Sequence, residues 1–157
     1  MAEGGRQESL FRRGEVAEGR ACAFCKIIRG EVEATVIRET GDLISFLDHR
    51  PLFHGHTLLV PKIHVQLMSD LPAERVAGFF TEAQRLERAV ETGLEADGSM
   101  ILINNVISQS VPHLHVHIIP RRKKDGLRIW LGPRHPYTAT SPAETFAEKI
   151  RQALKDA

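Results

Sequence analysis

Cysteine is scarce in this chain of 157 residues: there are only two, Cys22 and Cys25, in the run Cys22-Ala23-Phe24-Cys25. In a reducing compartment that pairing suggests a metal half-site more than a disulfide. A thioredoxin-like redox pair fits less well, because no strand precedes the motif, and two structural thiols are the plain alternative. Long apolar runs are missing too, and none approaches the length of a membrane span. The first twenty residues lack the apolar core of a signal peptide and are rich in Gly, Glu and Arg, so a cytosolic protein is expected. Charge of one sign is also lacking. A formal net charge of +1 gives no global argument for a membrane or nucleic-acid partner. There is no internal repeat. Residues 1–20 read as a disordered N-terminal tail and 21–157 as a single globular domain.

What is abundant is histidine, concentrated in His113-Leu114-His115-Val116-His117. At a period of two, His113, His115 and His117 point one way and Leu114, Val116 and Ile118 the other. Same-face neighbours on a strand lie roughly 6.5–7 Å apart. Packing alone gives no reason for three imidazoles on one face, so the segment reads as a site. Neutral imidazole is a good nucleophile toward phosphorus or acyl centres. Crowded imidazoles resist being charged together, so at least one should be neutral and able to attack. A catalytic metal is the competing reading, but no carboxylate lies between Gln109 and Pro120.

Around this strand the sequence predicts an α+β fold with an antiparallel sheet, one long helix and a C-terminal helix. A short helix is expected over Cys22–Arg29, ended by Gly30, and strands over Thr35–Arg38, Leu43–Leu47, Gly55–Pro61 and Met100–Ile103. The long helix runs from about Pro72 to about Thr92, capped by Ser69 or Asp70. Its apolar stripe is Val76, Phe79, Phe80, Ala83, Leu86 and Val90; Glu74, Arg75, Glu82, Arg85, Glu87 and Arg88 form a solvated face. Arg121-Arg122-Lys123-Lys124 reads as a solvated loop, and Trp130, Pro133, Pro136 and Tyr137 mark an irregular covering segment. Ser141-Pro142-Ala143-Glu144 starts the last helix as a capping box.

The stretch from Gln109 to Pro120 resembles the signature of the histidine-triad (HIT) superfamily, His-x-His-x-His with apolar x. The resemblance runs from about Cys22 to about Arg122. It takes in Cys-x-x-Cys, Asp48-x-x-Pro51, Gly55-His56-Thr57-Leu58-Leu59-Val60-Pro61-Lys62, His64 and Asn104-Asn105. It is nearest to the Hint-like and bacterial dinucleoside polyphosphate hydrolase-type members; the galactose-1-phosphate uridylyltransferase branch has longer chains. One departure stands out: members often carry a longer loop with glycine, whereas Asn104-Asn105-Val106-Ile107-Ser108-Gln109 has none. Glycine is what lets such a loop adopt positive φ and approach phosphate closely.

The resemblance implies roles. His115 would be the nucleophile that attacks an α-phosphate and becomes nucleotidylated, with water then releasing a nucleoside monophosphate. His117 would contact that phosphate, His113 would support the triad, and His56 would steady the nucleophile's surroundings. Asp48 would bind ribose hydroxyls, with Asn104 or Asn105, Gln109 and Ser110 around the phosphates. Several relatives bind zinc through residues matching Cys22, Cys25, His64 and His113, which implies a closed structural Zn2+. A homodimer acting on a small nucleotide is implied, with no membrane and no specific nucleic-acid partner. The triad leaves open a hydrolase, a transferase or phosphorylase that uses the same intermediate, and a nucleotide-binding regulator.

Overall fold

A computed structural model of the chain describes residues 21–128 and 135–155. The tail read over residues 1–20, and Trp130 and Pro133 of the covering segment, lie outside the described residues. The chain divides into two compact units after Asp125.

The first unit is α+β. Helix α1 (Ala23–Ile28) leads into strands β1 (Val36–Glu39), β2 (Leu43–Leu47) and β3 (Thr57–Pro61). A single 3-10 turn and helix α2 (Ala73–Gly93) follow, then β4 (Gly98–Leu102) and β5 (Val116–Arg121). The strands form one sheet in the order β1-β2-β3-β5-β4, and every pairing is antiparallel. Strand β3 is apolar almost throughout because both of its faces are covered. Leu59 joins Phe79, Ala83, Leu86 and Val90 of α2 on one face, together with Leu114, Val116 and Ile118. Leu58 and Val60 join Phe24, Cys22, Cys25, Ile44 and Phe46 on the other. Each such side chain removed from water contributes about 1.5–3 kcal/mol before the entropy of ordering is charged against it.

Several expectations need correction. Neither Ser69 nor Asp70 caps α2: Pro72 occupies the N-cap, and Asp70 instead accepts the Leu67 amide at 3.0 Å. Glu82 is not on a solvated face. It is 7% exposed and takes the Arg38 guanidinium at 2.8 Å, a cross-element pair that helical periodicity cannot reveal. Phe80, placed in the stripe, is 39% exposed, since the stripe rotates off the sheet at that position. The basic run is less free than a solvated loop would be. Arg122 donates to the Leu94 and Glu95 carbonyls, satisfying acceptors that the end of α2 leaves open.

Gly55 is the one glycine whose lack of a side chain is compulsory near the site. Its φ is +93°, and a Cβ there would lie 2.2 Å from Leu94 Cδ1. That turn delivers His56 to the head of β3. In the second unit, Thr138 and Ser141 form an isolated bridge before helix α3 (Ala143–Lys155), in which Glu144 pairs with Arg151.

Candidate active site and metal centre

The histidine strand is shorter than its alternation suggests. β5 begins only at Val116, so His117 alone lies in the ladder, opposite Leu58 of β3 and Leu102 of β4. His113 and His115 sit in the extended segment before it. Both are buried, at 0% and 3% exposure, so they do not line an open cleft together. The imidazoles serve two neighbouring centres on the α1 side of the sheet.

The first centre is built on His115, His117 and His56. His115 Nδ1 lies 2.7 Å from the His113 carbonyl oxygen, which can only accept, so Nδ1 carries the proton. The Nε2 lone pair of a neutral His115 is then bare. His56 is set in the same way. The Leu52 amide donates to its Nδ1 at 3.2 Å, so a neutral His56 bears its proton on Nε2 and donates it to His117 Nδ1 at 2.9 Å. His117 is left with Nε2–H as its outward donor. The His115 and His117 rings are 4.7 Å apart and those of His56 and His117 5.1 Å.

Burial keeps these rings uncharged. It is the chief cause that pushes His117 down from the ordinary 6.5 to about 4, with His115 and His56 adding to the effect. His115 and His56 are lowered as well, again by burial first, with Asp48 pulling both back up. Asp48 Oδ2 lies 3.7 Å from His56 Nδ1, while Oδ1 accepts the Arg50 amide at 2.8 Å.

The loop before the triad is wired to itself and to residues 66–68. Asn105 Oδ1 accepts the Met68 amide at 3.1 Å, and Asn104 Nδ2 donates to the Ser108 carbonyl at 3.3 Å. Gln109 accepts the Val106 amide at 3.1 Å and donates to the Gln66 carbonyl at 2.8 Å. Ser110 is exposed beside them. The missing glycines do not prevent left-handed backbone here: Val106 has φ +67° and Ser108 φ +61°. For a β-branched residue that conformation is strained.

The second centre gathers Cys22, Cys25, His64 and His113, whose donor atoms all lie within 4.8 Å of one another. His113 Nε2 donates to the Pro61 carbonyl at 2.8 Å, which leaves its Nδ1 lone pair facing both sulfurs at 3.5 Å. His64 Nδ1 is 3.2 Å from Cys25 Sγ. Metal–sulfur and metal–nitrogen bonds of about 2.3 and 2.0–2.1 Å in a tetrahedron put S and N about 3.5 Å apart, so these spacings fit a four-coordinate ion. The Pro61 carbonyl holds the His113 imidazole in one tautomer, as outer partners do for metal ligands. Burial, then the neighbouring Cys22, push the Cys25 thiol up to about 11, so that thiol is neutral on its own.

Sequence reasoning missed three participants. The Leu52 amide and the Pro61 carbonyl are main-chain groups that carry no side-chain signal. Phe24 was legible only as an apolar helix residue, yet its ring packs edge-on against His115, with centroids 5.1 Å apart and planes at 83°.

Among known proteins, the family model described as the HIT domain matches residues 29–124. Adenylylsulfatase HINT3 of Arabidopsis thaliana is 36% identical over 138 residues, covering 85% of this chain and 69% of its own. Adenosine 5'-monophosphoramidase HNT1 of Saccharomyces cerevisiae is 37% identical, covering 69% of this chain and 68% of its own. Among solved structures, a Zn-bound histidine triad family protein from Mycobacterium smegmatis is similar. It has a TM-score of 0.65 and 36% identity, covering 87% of this chain and 98% of that one.

Proposed function

Because this chain belongs to the HIT family, we propose that it is a nucleotide hydrolase that works through a nucleotidylated His115 on a nucleoside phosphoramidate or dinucleoside polyphosphate. One observation carries the reading: the Nδ1 proton of His115 is tied to the His113 carbonyl, which leaves Nε2 as a free nucleophile beside the His117 donor. In the first step a bond forms from Nε2 to the α-phosphorus and the bond to the leaving amine or phosphate breaks. In the second, water displaces the histidine and frees a nucleoside monophosphate. Holding phosphorus in line with the nitrogen is most of the catalysis, and fixed donors steady the charge on its oxygens.

His117 offers Nε2–H to those oxygens, and the His56 bond keeps it in that tautomer. Asp48, acceptor-only when ionised, suits a ribose diol. The loop carrying Asn104, Asn105, Gln109 and Ser110 would frame the phosphates, Asn104 and Gln109 bonding within the loop and Asn105 tying it to Met68. His113 supports the triad through its carbonyl.

Cys22, Cys25, His64 and His113 would hold a structural Zn2+, the donor set being two soft sulfurs and two imidazoles. Four protein ligands leave no position for substrate, so the ion would supply folding energy and fixed ligand geometry. No helix among the described residues is long and apolar enough to cross a membrane. A homodimer is favoured by the open edge of β4, where Ile101 is 46% exposed, and by Phe80 on α2.

The test is a panel of adenosine and guanosine phosphoramidates and dinucleotides, with products identified by mass spectrometry. The reading expects a nucleoside monophosphate and, on rapid quenching, a nucleotidylated peptide containing His115. Absence of both across the panel would exclude it.

A further inference from the structure

Phe24 lies between the two cysteines of the metal centre and beside the nucleophile of the other. Helix α1 is only six residues long, and no side chain caps its start. Its hold on the sheet comes from side chains: the apolar cluster around Ile44, Phe46, Leu58 and Val60, and the two sulfurs facing His113. Phe24 is 7% exposed. Its ring meets three others edge to face: Phe46 at 5.5 Å, His113 at 6.0 Å and His115 at 5.1 Å. Such pairs add to burial and depend on orientation.

His115 is otherwise held by the hydrogen bond that fixes its tautomer, from Nδ1–H to the carbonyl of His113, and by the His117 ring, edge-on at 4.7 Å. A single bond permits rotation about its own axis. A perpendicular ring packed alongside, with planes at 83°, removes that freedom. His113, whose carbonyl receives that bond, is also the residue whose Nδ1 faces both sulfurs. Two of the three restraints on His115 therefore lead back to the Cys22–Cys25 pair, one through the main chain of His113 and the other through Phe24.

We infer that Phe24 is a positioning residue for His115, aiming its imidazole at the reacting phosphorus, and that the metal clip at Cys22 and Cys25 sets where Phe24 stands. The metal centre then controls the orientation of the nucleophile from next door, without touching substrate. This rests on the reading of His115 as nucleophile. An apolar side chain of similar volume at position 24 would fill the space without fixing the ring's angle.

The experiment compares zinc-loaded wild type, Phe24→Leu and Phe24→Tyr, all labelled with nitrogen-15 histidine. Long-range proton–nitrogen correlation reads the His115 ring, and steady-state kinetics are run on an adenosine phosphoramidate. Phe24→Leu should keep one zinc per chain, shift or broaden the His115 ring signals, and lose about ten- to a hundredfold in kcat with KM little changed. Phe24→Tyr, which keeps the ring, should restore both signal and rate. Chelated wild type, below the melting point of the metal-free protein, should show the same His115 change. Phe24→Leu with wild-type signals and kcat overturns the inference. So does a rise in KM alone, which would make Phe24 a substrate contact, or chelation that leaves the His115 signals unmoved. If Phe24→Leu does not fold, Phe24→Met and the chelation arm decide by the same readouts. If wild type turns over nothing, the hydrolase reading fails, while the ring signals still judge the link between metal and His115.

Discussion

The carbonyl oxygen of His113 receives the Nδ1 proton of His115 at 2.7 Å, while the side chain of the same His113 faces Cys22 and Cys25. One residue thus joins two clusters of imidazoles. On the proposed reading its backbone would keep a neighbouring imidazole ready to attack, and its ring would complete a ligand set.

His115→Ala should abolish turnover and leave the fold intact, because no other described side chain presents a bare imidazole nitrogen in its place. A loss on the order of 10³-fold or more is expected from removing a nucleophile. His117→Ala should be milder, at about 2–4 kcal/mol of transition-state stabilisation, the usual loss for one well-placed donor. Single-turnover kinetics with circular dichroism check both. A His115→Ala protein retaining more than a few per cent of the rate, with the same product, would contradict the assignment.

The site's response to pH follows from burial. His117 is neutral in the folded state down to about pH 4, against an ordinary value of 6.5, and His115 and His56 are shifted the same way. Between those limits the unfolded chain binds more protons than the folded one. The contribution of His117 to stability is therefore complete above pH 6.5 and is lost as pH falls toward 4, and His115 and His56 act in the same direction. The acid limb of kcat/KM, set by protonation of His115, should accordingly lie below pH 6.5. A limb at or above 6.5, in buffers of fixed ionic strength, would contradict the buried environment described for His115.

Much of this was legible in the sequence, for identifiable reasons. Alternation at period two found the apolar face of Leu114, Val116 and Ile118, all buried in one cluster with the residues of α2, although only the last two lie in β5. Residue chemistry marked Cys22 and Cys25 as a metal half-site, and the resemblance to the histidine-triad superfamily added His64 and His113, far apart in the chain yet adjacent in space. Illegible were interactions made by main chain, such as Leu52 to His56 and Pro61 to His113. Pairings between non-neighbouring elements were hidden as well, of which Arg38 with Glu82 is the clearest. Periodicity describes one element at a time and says nothing of what crosses from one to another.

The loop before the triad carries strain that glycine would relieve. Val106 holds φ +67° and is 50% exposed, so its side chain contributes little burial to offset the left-handed backbone. Val106→Gly should raise stability by about 1 kcal/mol, the strain of 1–3 kcal/mol being partly offset by the greater freedom of glycine when unfolded. Urea denaturation measures the difference. A Val106→Gly protein less stable than wild type would show that the side chain, not the backbone, governs this position.

Dimerisation is expected through the free edge of β4. Its neighbour on one side is β5 and, among the described residues, no strand pairs with the other, while Ile101 stands exposed on it. Light scattering at micromolar concentration should give twice the chain mass. Ile101→Lys, placing a charge at the edge, should shift the protein toward monomer. A monomer mass for wild type would refute the arrangement.

The metal makes the strongest demand on residues distant in sequence. Cys22 and Cys25 supply two sulfurs, and His64 and His113 two imidazoles, with S–N spacings of 3.2–3.5 Å. Soft donors select zinc over magnesium or calcium. Elemental analysis of protein purified without added metal should find about one zinc per chain, and Cys22→Ala should remove it. An ion that binds the folded chain alone stabilises it by about 4 kcal/mol at a thousand times its Kd, so chelation should lower Tm clearly. Turnover should survive chelation wherever the fold does, slowed to the extent that His113 and its carbonyl loosen around His115. Chelation that halts turnover and leaves Tm unchanged would make the metal catalytic and dismiss the structural role. Wild-type protein that neither carries nor takes up zinc would return the two cysteines to plain buried thiols.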